Sequence, residues 1–200
     1  MTPVWPRVRD ALERHGRVAL VTVAATRGSA PREAGARLMV LPDGSFTGTI
    51  GGGTLEWRAI AQAQVALVSP SAPKAEVRRY ALGPELGQCC GGSVDLIIER
   101  FDAAEARGAI AAWAEAEMAG GLVTRGKVTA EGVMRRPMDG ETMLPGSAVL
   151  EGNELTESFG DDRRALALFG AGHVGRALAL ALGLQGAVAA HAQPAAPSPF

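Results

Sequence analysis

Three consecutive glycines, Gly51, Gly52 and Gly53, stand between a strand pattern and a helix pattern. Glycine lets the backbone adopt positive φ angles and approach a ligand closely. The start of the following helix offers free N–H groups and the positive end of the helix dipole. These features are together typical of a site for phosphate or another anion. No Gly-Lys-Ser/Thr follows, so the segment is not a Walker A loop. A tight turn without a ligand explains the same residues equally well.

A second candidate is the loop 26–35, TRGSAPREAG, which joins two strand patterns and therefore lies at one end of a sheet. Arg32 offers a planar fork of donors and Ser29 offers a hydroxyl, and both groups bind anions. Loops of this composition are also common as solvated connections. The residues alone leave both interpretations open.

The third candidate is the segment 87–92, in which Cys89 and Cys90 adjoin between glycines. A thiolate is both a nucleophile and a soft-metal ligand, so this pattern favours sulfur or soft-metal chemistry. Two cysteines are too few for a Cys₄ zinc site, and they lack the spacer of thioredoxin-like motifs. Two buried small apolar residues are the alternative. Adjacent cysteines bridge no distant segments, which favours a reducing compartment such as the cytoplasm.

The fourth candidate is Gly170, Gly172 and Gly175, which match the dinucleotide fingerprint between a strand pattern and a helix pattern. An acidic residue is expected about 20 residues further on, where it binds the ribose. No charged residue follows Arg176, so this partner is missing. We therefore expect no NAD(P) binding by this chain.

Hydrophobic periodicity predicts the elements that position these motifs. Helix patterns cover 2–16, 54–68 and 103–118; strand patterns cover 17–25, 36–41, 45–50, 76–82 and 93–101; a glycine-rich loop covers 83–92, and short strands fill 122–153. The prediction is an α+β domain with a mixed sheet over 1–160, then an incomplete Rossmann-like α/β segment over 161–184 and a disordered tail over 185–200.

Composition excludes several classes of protein. The chain has 200 residues, 47% of them hydrophobic, and a net charge of −1, which is ordinary for a globular protein. Clustered excess Lys and Arg, the signature of nucleic-acid binding, is absent. No apolar stretch reaches the roughly 20 residues that span a bilayer. We expect a cytoplasmic protein without nucleic-acid or membrane partners.

Three motifs together, 28–56 (GSAPREAGARLMVLPDGSFTGTIGGGTLE), 82–92 (LGPELGQCCGG) and 168–179 (LFGAGHVGRALA), resemble the XdhC and CoxI family. Members are accessory proteins of molybdenum hydroxylases, especially xanthine dehydrogenase. The resemblance implies a chaperone, not an enzyme, that binds the molybdenum cofactor while a cysteine desulfurase supplies the terminal sulfido ligand. The loaded cofactor then passes to the large subunit of the hydroxylase. A homodimer is among the assemblies it implies.

The resemblance also implies roles for individual residues. The glycine turn 51–53 would hold the phosphate or the pterin edge, and Arg32 would neutralise the phosphate. Cys89 or Cys90 would contact molybdenum or relay sulfur, and the sequence does not decide between them. The implied cofactor-binding set also includes Ser29, Gln88 and Gly91.

The chain departs from the family pattern near Gly183, because family members continue through a Rossmann domain. Two other hypotheses therefore stay open. One is an NAD(P)-linked oxidoreductase that uses Cys89 or Cys90 in redox work. The other is a truncated fragment without function.

Overall fold

A computed structural model describes the protein over residues 3–87, 91–160, 172–174 and 177. By its internal contacts the chain divides into two units, Met1–Arg163 and Arg164–Phe200. In the second unit His173 and Val174 are helical. Gly170 and Gly175 of the predicted dinucleotide motif lie outside the described residues, as do 161–171 and 178–200. The predicted domain boundaries therefore stay predictions.

The described part of the first unit combines helices with antiparallel sheets, which confirms the predicted α+β class. The helices are α1 (Trp5–His15), α2 (Gly53–Val68), α3 (Leu82–Leu86) and α4 (Ala109–Ala119), with a 3₁₀ turn at Ala103–Glu105. The strands are β1 (Arg17–Arg27), β2 (Arg37–Val40), β3 (Phe46–Gly48), β4 (Ala75–Ala81), β5 (Ser93–Asp102), β6 (Leu122–Thr129), β7 (Gly132–Pro137), β8 (Ala148–Glu151) and β9 (Glu154–Phe159). None of the described helices is both long and apolar enough to cross a membrane.

The strands form two sheets, ordered β3-β2-β1-β5-β4 and β7-β6-β9-β8. Every neighbouring pair in the described residues is antiparallel, which corrects the expected mixed sheet. A helix between two strands usually signals a parallel pair. Helix α2 does link two strands of the same direction, β3 and β4. These two strands lie at opposite edges of the first sheet, with three antiparallel strands between them.

Helix α2 covers one face of the first sheet because apolar residues recur along one side of it. Leu55, Ala59 and Ala63 are buried in one cluster with Val21 and Leu96 of the sheet. The opposite face packs against α1, α4 and the second sheet. The first sheet is therefore covered on both faces, and its ends are where loops reach solvent.

Three elements differ in extent from the sequence prediction. Helix α3 takes the last residue of the predicted strand 76–82 and the start of the predicted loop 83–92, and Gly87, with a φ of 62°, terminates it. The helix predicted over 103–118 is interrupted before Ala109, because Gly108 adopts a non-helical conformation. Strand β1 continues to Arg27 because it pairs with β5 along its whole length.

Four buried charged side chains join the two sheets. Arg135 of β7 pairs with Glu99 of β5 at 2.7 Å and with Glu157 of β9 at 2.8 Å, and Arg37 of β2 pairs with Glu157 at 3.2 Å. Burial alone would raise the pKa of Glu157, but Arg135 and Arg37 outweigh it and hold that pKa below its usual range. Each charge thus depends on its neighbours for compensation.

Candidate functional site

The three glycine-rich segments of the first unit lie at one end of the first sheet. Strands β1, β3 and β4 end there and β5 begins there, because each neighbouring pair is antiparallel. Ser93 marks this end, since Arg27 and Ala81 are its register partners on either side. The loop 28–35 follows β1, the turn 51–53 follows β3, and the segment 87–92 leads into β5.

The loop 28–35 contacts both of the other segments. The N–H of Gly92 donates a hydrogen bond to the Ser29 carbonyl oxygen at 3.1 Å. A Cβ at Gly92 would overlap that oxygen, so only glycine fits there. A Cβ at Gly51 would lie 2.6 Å from Pro31 Cγ. The three segments therefore form one continuous surface.

Gly35 anchors the same loop to the second sheet. Its φ is 102°, and a Cβ there would overlap the carbonyl oxygen of Gly146. The Gly35 carbonyl accepts a hydrogen bond from Arg37 Nη1 at 3.0 Å. The loop is thus tied to the buried charges that join the two sheets.

The carboxylate of Glu56 occupies the inner side of the glycine turn. Its Oε2 accepts hydrogen bonds from the Thr49 hydroxyl at 2.6 Å, from Ile50 N at 2.9 Å and from Gly52 N at 3.2 Å. Burial alone would raise the pKa of Glu56, but these hydrogen bonds outweigh it and hold the pKa below its usual range. A phosphate at these N–H groups would compete with this carboxylate.

The other predicted anion-binding residues lie on the same surface. Arg32 pairs with its neighbour Glu33 at 3.0 Å, so its charge is partly neutralised. Ser29 is exposed and uses its carbonyl to hold Gly92. Neither residue places an uncompensated charge beside the glycine turn.

Only the two ends of the cysteine segment are described. Gln88, Cys89 and Cys90 are outside the described residues, while Gly87 and Gly91 flank them. None of the described residues lies within 4 Å of a Cβ built at Gly91, and its φ is outside the left-handed region. Among the described residues, neither packing nor backbone conformation therefore requires glycine there.

Sequence reasoning missed an arginine pair at this end of the sheet. Asp95 on β5 is hydrogen-bonded by Arg79 of β4 at 2.7 and 3.1 Å and by Arg27 of β1 at 2.9 Å. Its side chain is 4% exposed, whereas those of Arg27 and Arg79 are 52% and 65% exposed. The signal in the sequence was one acidic residue inside an apolar strand.

A different cleft, of about 180 Å³, lies at the opposite end of the first sheet. Lys74, Arg100 and Trp113 are among the residues that line it. Lys74 already pairs with Asp102 at 3.6 Å and with Glu105 at 3.4 Å. Across the part of the chain that the structure describes, no group of three His, Cys, Asp or Glu residues is arranged to hold a metal.

A comparison with protein families finds a match for part of the first unit. Residues 11–81 match the model of the XdhC and CoxI family. The resemblance is confirmed over this segment. It contains β1, the loop 28–35, the glycine turn and α2, and it ends with β4. Two of the three site segments thus lie within the XdhC and CoxI match, which covers about a third of the chain.

The fold is similar to that of a crystal structure of a xanthine dehydrogenase from Bacillus halodurans, with a TM-score of 0.58 and 19% sequence identity. The similarity covers 78% of this chain and 52% of that one, so this chain spans about half the length of its structural neighbour. At this identity the similarity concerns the fold alone, and it agrees with the α+β class. No curated protein matches the chain.

Proposed function

We propose that this chain binds the molybdenum cofactor and acts as an accessory factor in the maturation of xanthine dehydrogenase or a related molybdenum hydroxylase. The family match over residues 11–81 supports the accessory role. In this proposal a cysteine desulfurase supplies the terminal sulfido ligand of molybdenum, and the chain passes the cofactor to the hydroxylase. The chain itself is a binding protein in this scheme, not an enzyme that turns over.

The observation that carries the proposal is the convergence of the three glycine-rich segments at one sheet end. Contacts of Ser29 with Gly92 and of Pro31 with Gly51 join them into one surface. Gly91, which follows Cys90 in the sequence, has none of the described residues within 4 Å of its Cβ position. A flat, anionic pterin with a sulfur-ligated metal needs such a surface of exposed backbone close to a thiolate.

The experiment is cofactor retention by the purified chain. Anaerobically released molybdenum cofactor is mixed with the chain and passed through a desalting column, and molybdenum and pterin are assayed in the protein fraction. We expect the wild type to retain the cofactor nearly stoichiometrically. We expect one of the variants Cys89→Ala and Cys90→Ala to lose this retention, and the variant that does so identifies the thiol involved. Absence of retention by a folded chain would refute the proposal for this chain.

A further inference from the structure

Two exposed arginines at this end of the sheet are held by one buried carboxylate. Arg27 and Arg79 share the single carboxylate of Asp95, so the three side chains carry one uncompensated positive charge. Among the described residues, neither arginine pairs with a second acidic side chain. By contrast, Ile50 N and Gly52 N at the glycine turn already donate to Glu56, and Arg32 already pairs with Glu33.

The geometry keeps the two guanidinium groups together and accessible. Arg27 Nη1 and Arg79 Nη2 both donate to Oδ2 of Asp95, at 2.9 and 3.1 Å, so the two groups lie side by side. Arg79 Nη1 and the Nε and Nη2 of Arg27 make no hydrogen bond to described residues. Hydrogen bonds from Arg79 and Arg27 also hold the pKa of Asp95 below its usual range, so the carboxylate stays ionised and keeps its place.

We propose that Arg27 and Arg79, held side by side by Asp95, form a subsite for a phosphate monoester. Such a group carries between one and two negative charges at neutral pH and accepts several hydrogen bonds, and paired guanidiniums match that charge and geometry. Arg27 is the register partner of Ser93, two residues after Gly91, so the subsite adjoins the cysteine segment. The ligand's identity rests on the proposed function: it would be the terminal phosphate of the bound cofactor.

The test compares a charge-neutral variant with a matched control. Arg27→Gln removes one guanidinium and leaves the bidentate pair of Arg79 with Asp95 to preserve the fold. Arg78→Gln is the control, because Arg78 lies on the same strand as Arg79 but pairs with Glu76 instead. Circular dichroism and thermal unfolding verify that both variants are folded.

Two ligands are titrated into each protein by calorimetry. The first is inorganic pyrophosphate, which probes anion binding alone. The second is the released pterin, with and without enzymatic removal of its phosphate. We expect Arg27→Gln to weaken both pyrophosphate and the phosphorylated pterin by about tenfold, the loss of one charge-assisted hydrogen bond. The dephosphorylated pterin should bind the variant and the wild type equally, and Arg78→Gln should change nothing.

The outcomes separate this inference from the proposed function. If the pterin binds with an affinity that changes neither on removal of its phosphate nor in Arg27→Gln, the subsite is wrong and the proposed function stands. If pyrophosphate binding depends on Arg27 but the pterin does not bind, the anion subsite stands and the proposed function fails. If neither ligand binds the wild-type chain, both fail.

Discussion

The side chain of Glu56 in helix α2 stabilises the glycine turn at the start of that helix, and Glu56→Ala tests this directly. The substitution removes one acceptor of three hydrogen bonds, from the Thr49 hydroxyl, Ile50 N and Gly52 N. Helix caps and charged hydrogen bonds of this kind contribute about 1–2 kcal/mol to the free energy of unfolding when water can replace some of the lost hydrogen bonds. Glu56 is half-buried, so we expect the free energy of unfolding to fall by about that amount.

The effect should depend on pH in one direction. The pKa of Glu56 is held below its usual range in the folded chain. Its stabilisation is therefore complete above the ordinary glutamate pKa and is lost as pH falls through the folded value. The stability difference between wild type and Glu56→Ala should shrink in acid. Urea unfolding followed by circular dichroism, repeated across the acidic range, measures this difference.

A matched control and an added anion sharpen the experiment. Glu115→Ala removes an exposed carboxylate of α4 and should leave stability unchanged. Phosphate added at constant ionic strength should restore part of the stability of Glu56→Ala, because the freed N–H groups then face an external anion. Wild-type stability in a Glu56→Ala variant, or a difference independent of pH, would refute the assigned role of the carboxylate.

Three further predictions follow from the packing. Arg135→Met should lower the free energy of unfolding by about 3–5 kcal/mol, because it leaves buried carboxylates unpaired. Arg136 is exposed, so Arg136→Met should change this free energy little. Urea unfolding compares the two variants. Gly35→Ala should unfold at a lower temperature by calorimetry, because its Cβ would overlap a carbonyl oxygen at a φ of 102°. Glu117→Ala should increase amide exchange at the start of α1, since its carboxylate accepts the N–H of Trp5 at 2.8 Å; unchanged exchange would contradict that role.

The sequence predicted the bounds of helices and strands well where neighbouring residues determine them. Helix α1 ends at Gly16, whose N–H donates to the Leu12 carbonyl, as the glycine suggested. Helix α2 and strand β5 differ from their predicted bounds by only one residue at an end. Apolar periodicity was sufficient there, because one face of each element is buried.

Apart from the hairpin of β2 and β3, which the turn 42–44 indicates, the sequence did not predict which strands would be neighbours. The predicted mixed sheet would contain at least one parallel pair, but the two strands that α2 links, β3 and β4, are separated by β2, β1 and β5. Long-range pairing of this kind has no local signal. The same limit applies to the site. The glycine turn was compatible with an anion site or with a tight turn, and the sequence did not show that Glu56 accepts hydrogen bonds from Ile50 N and Gly52 N. The arginine pair on Asp95 depends on three strands that are distant in sequence.

The proposed function places the molybdenum cofactor on the surface that the three glycine-rich segments form at one end of the first sheet. Gly91→Leu adds a bulky side chain to this surface without a backbone or packing penalty from described residues, since none of them lies within 4 Å of its Cβ position. The decisive measurement is the affinity of wild type and Gly91→Leu for released molybdenum cofactor, with thermal unfolding verifying that both are folded. We expect the wild type to retain the cofactor and Gly91→Leu to lose it. Equal affinity of the two folded proteins would contradict it.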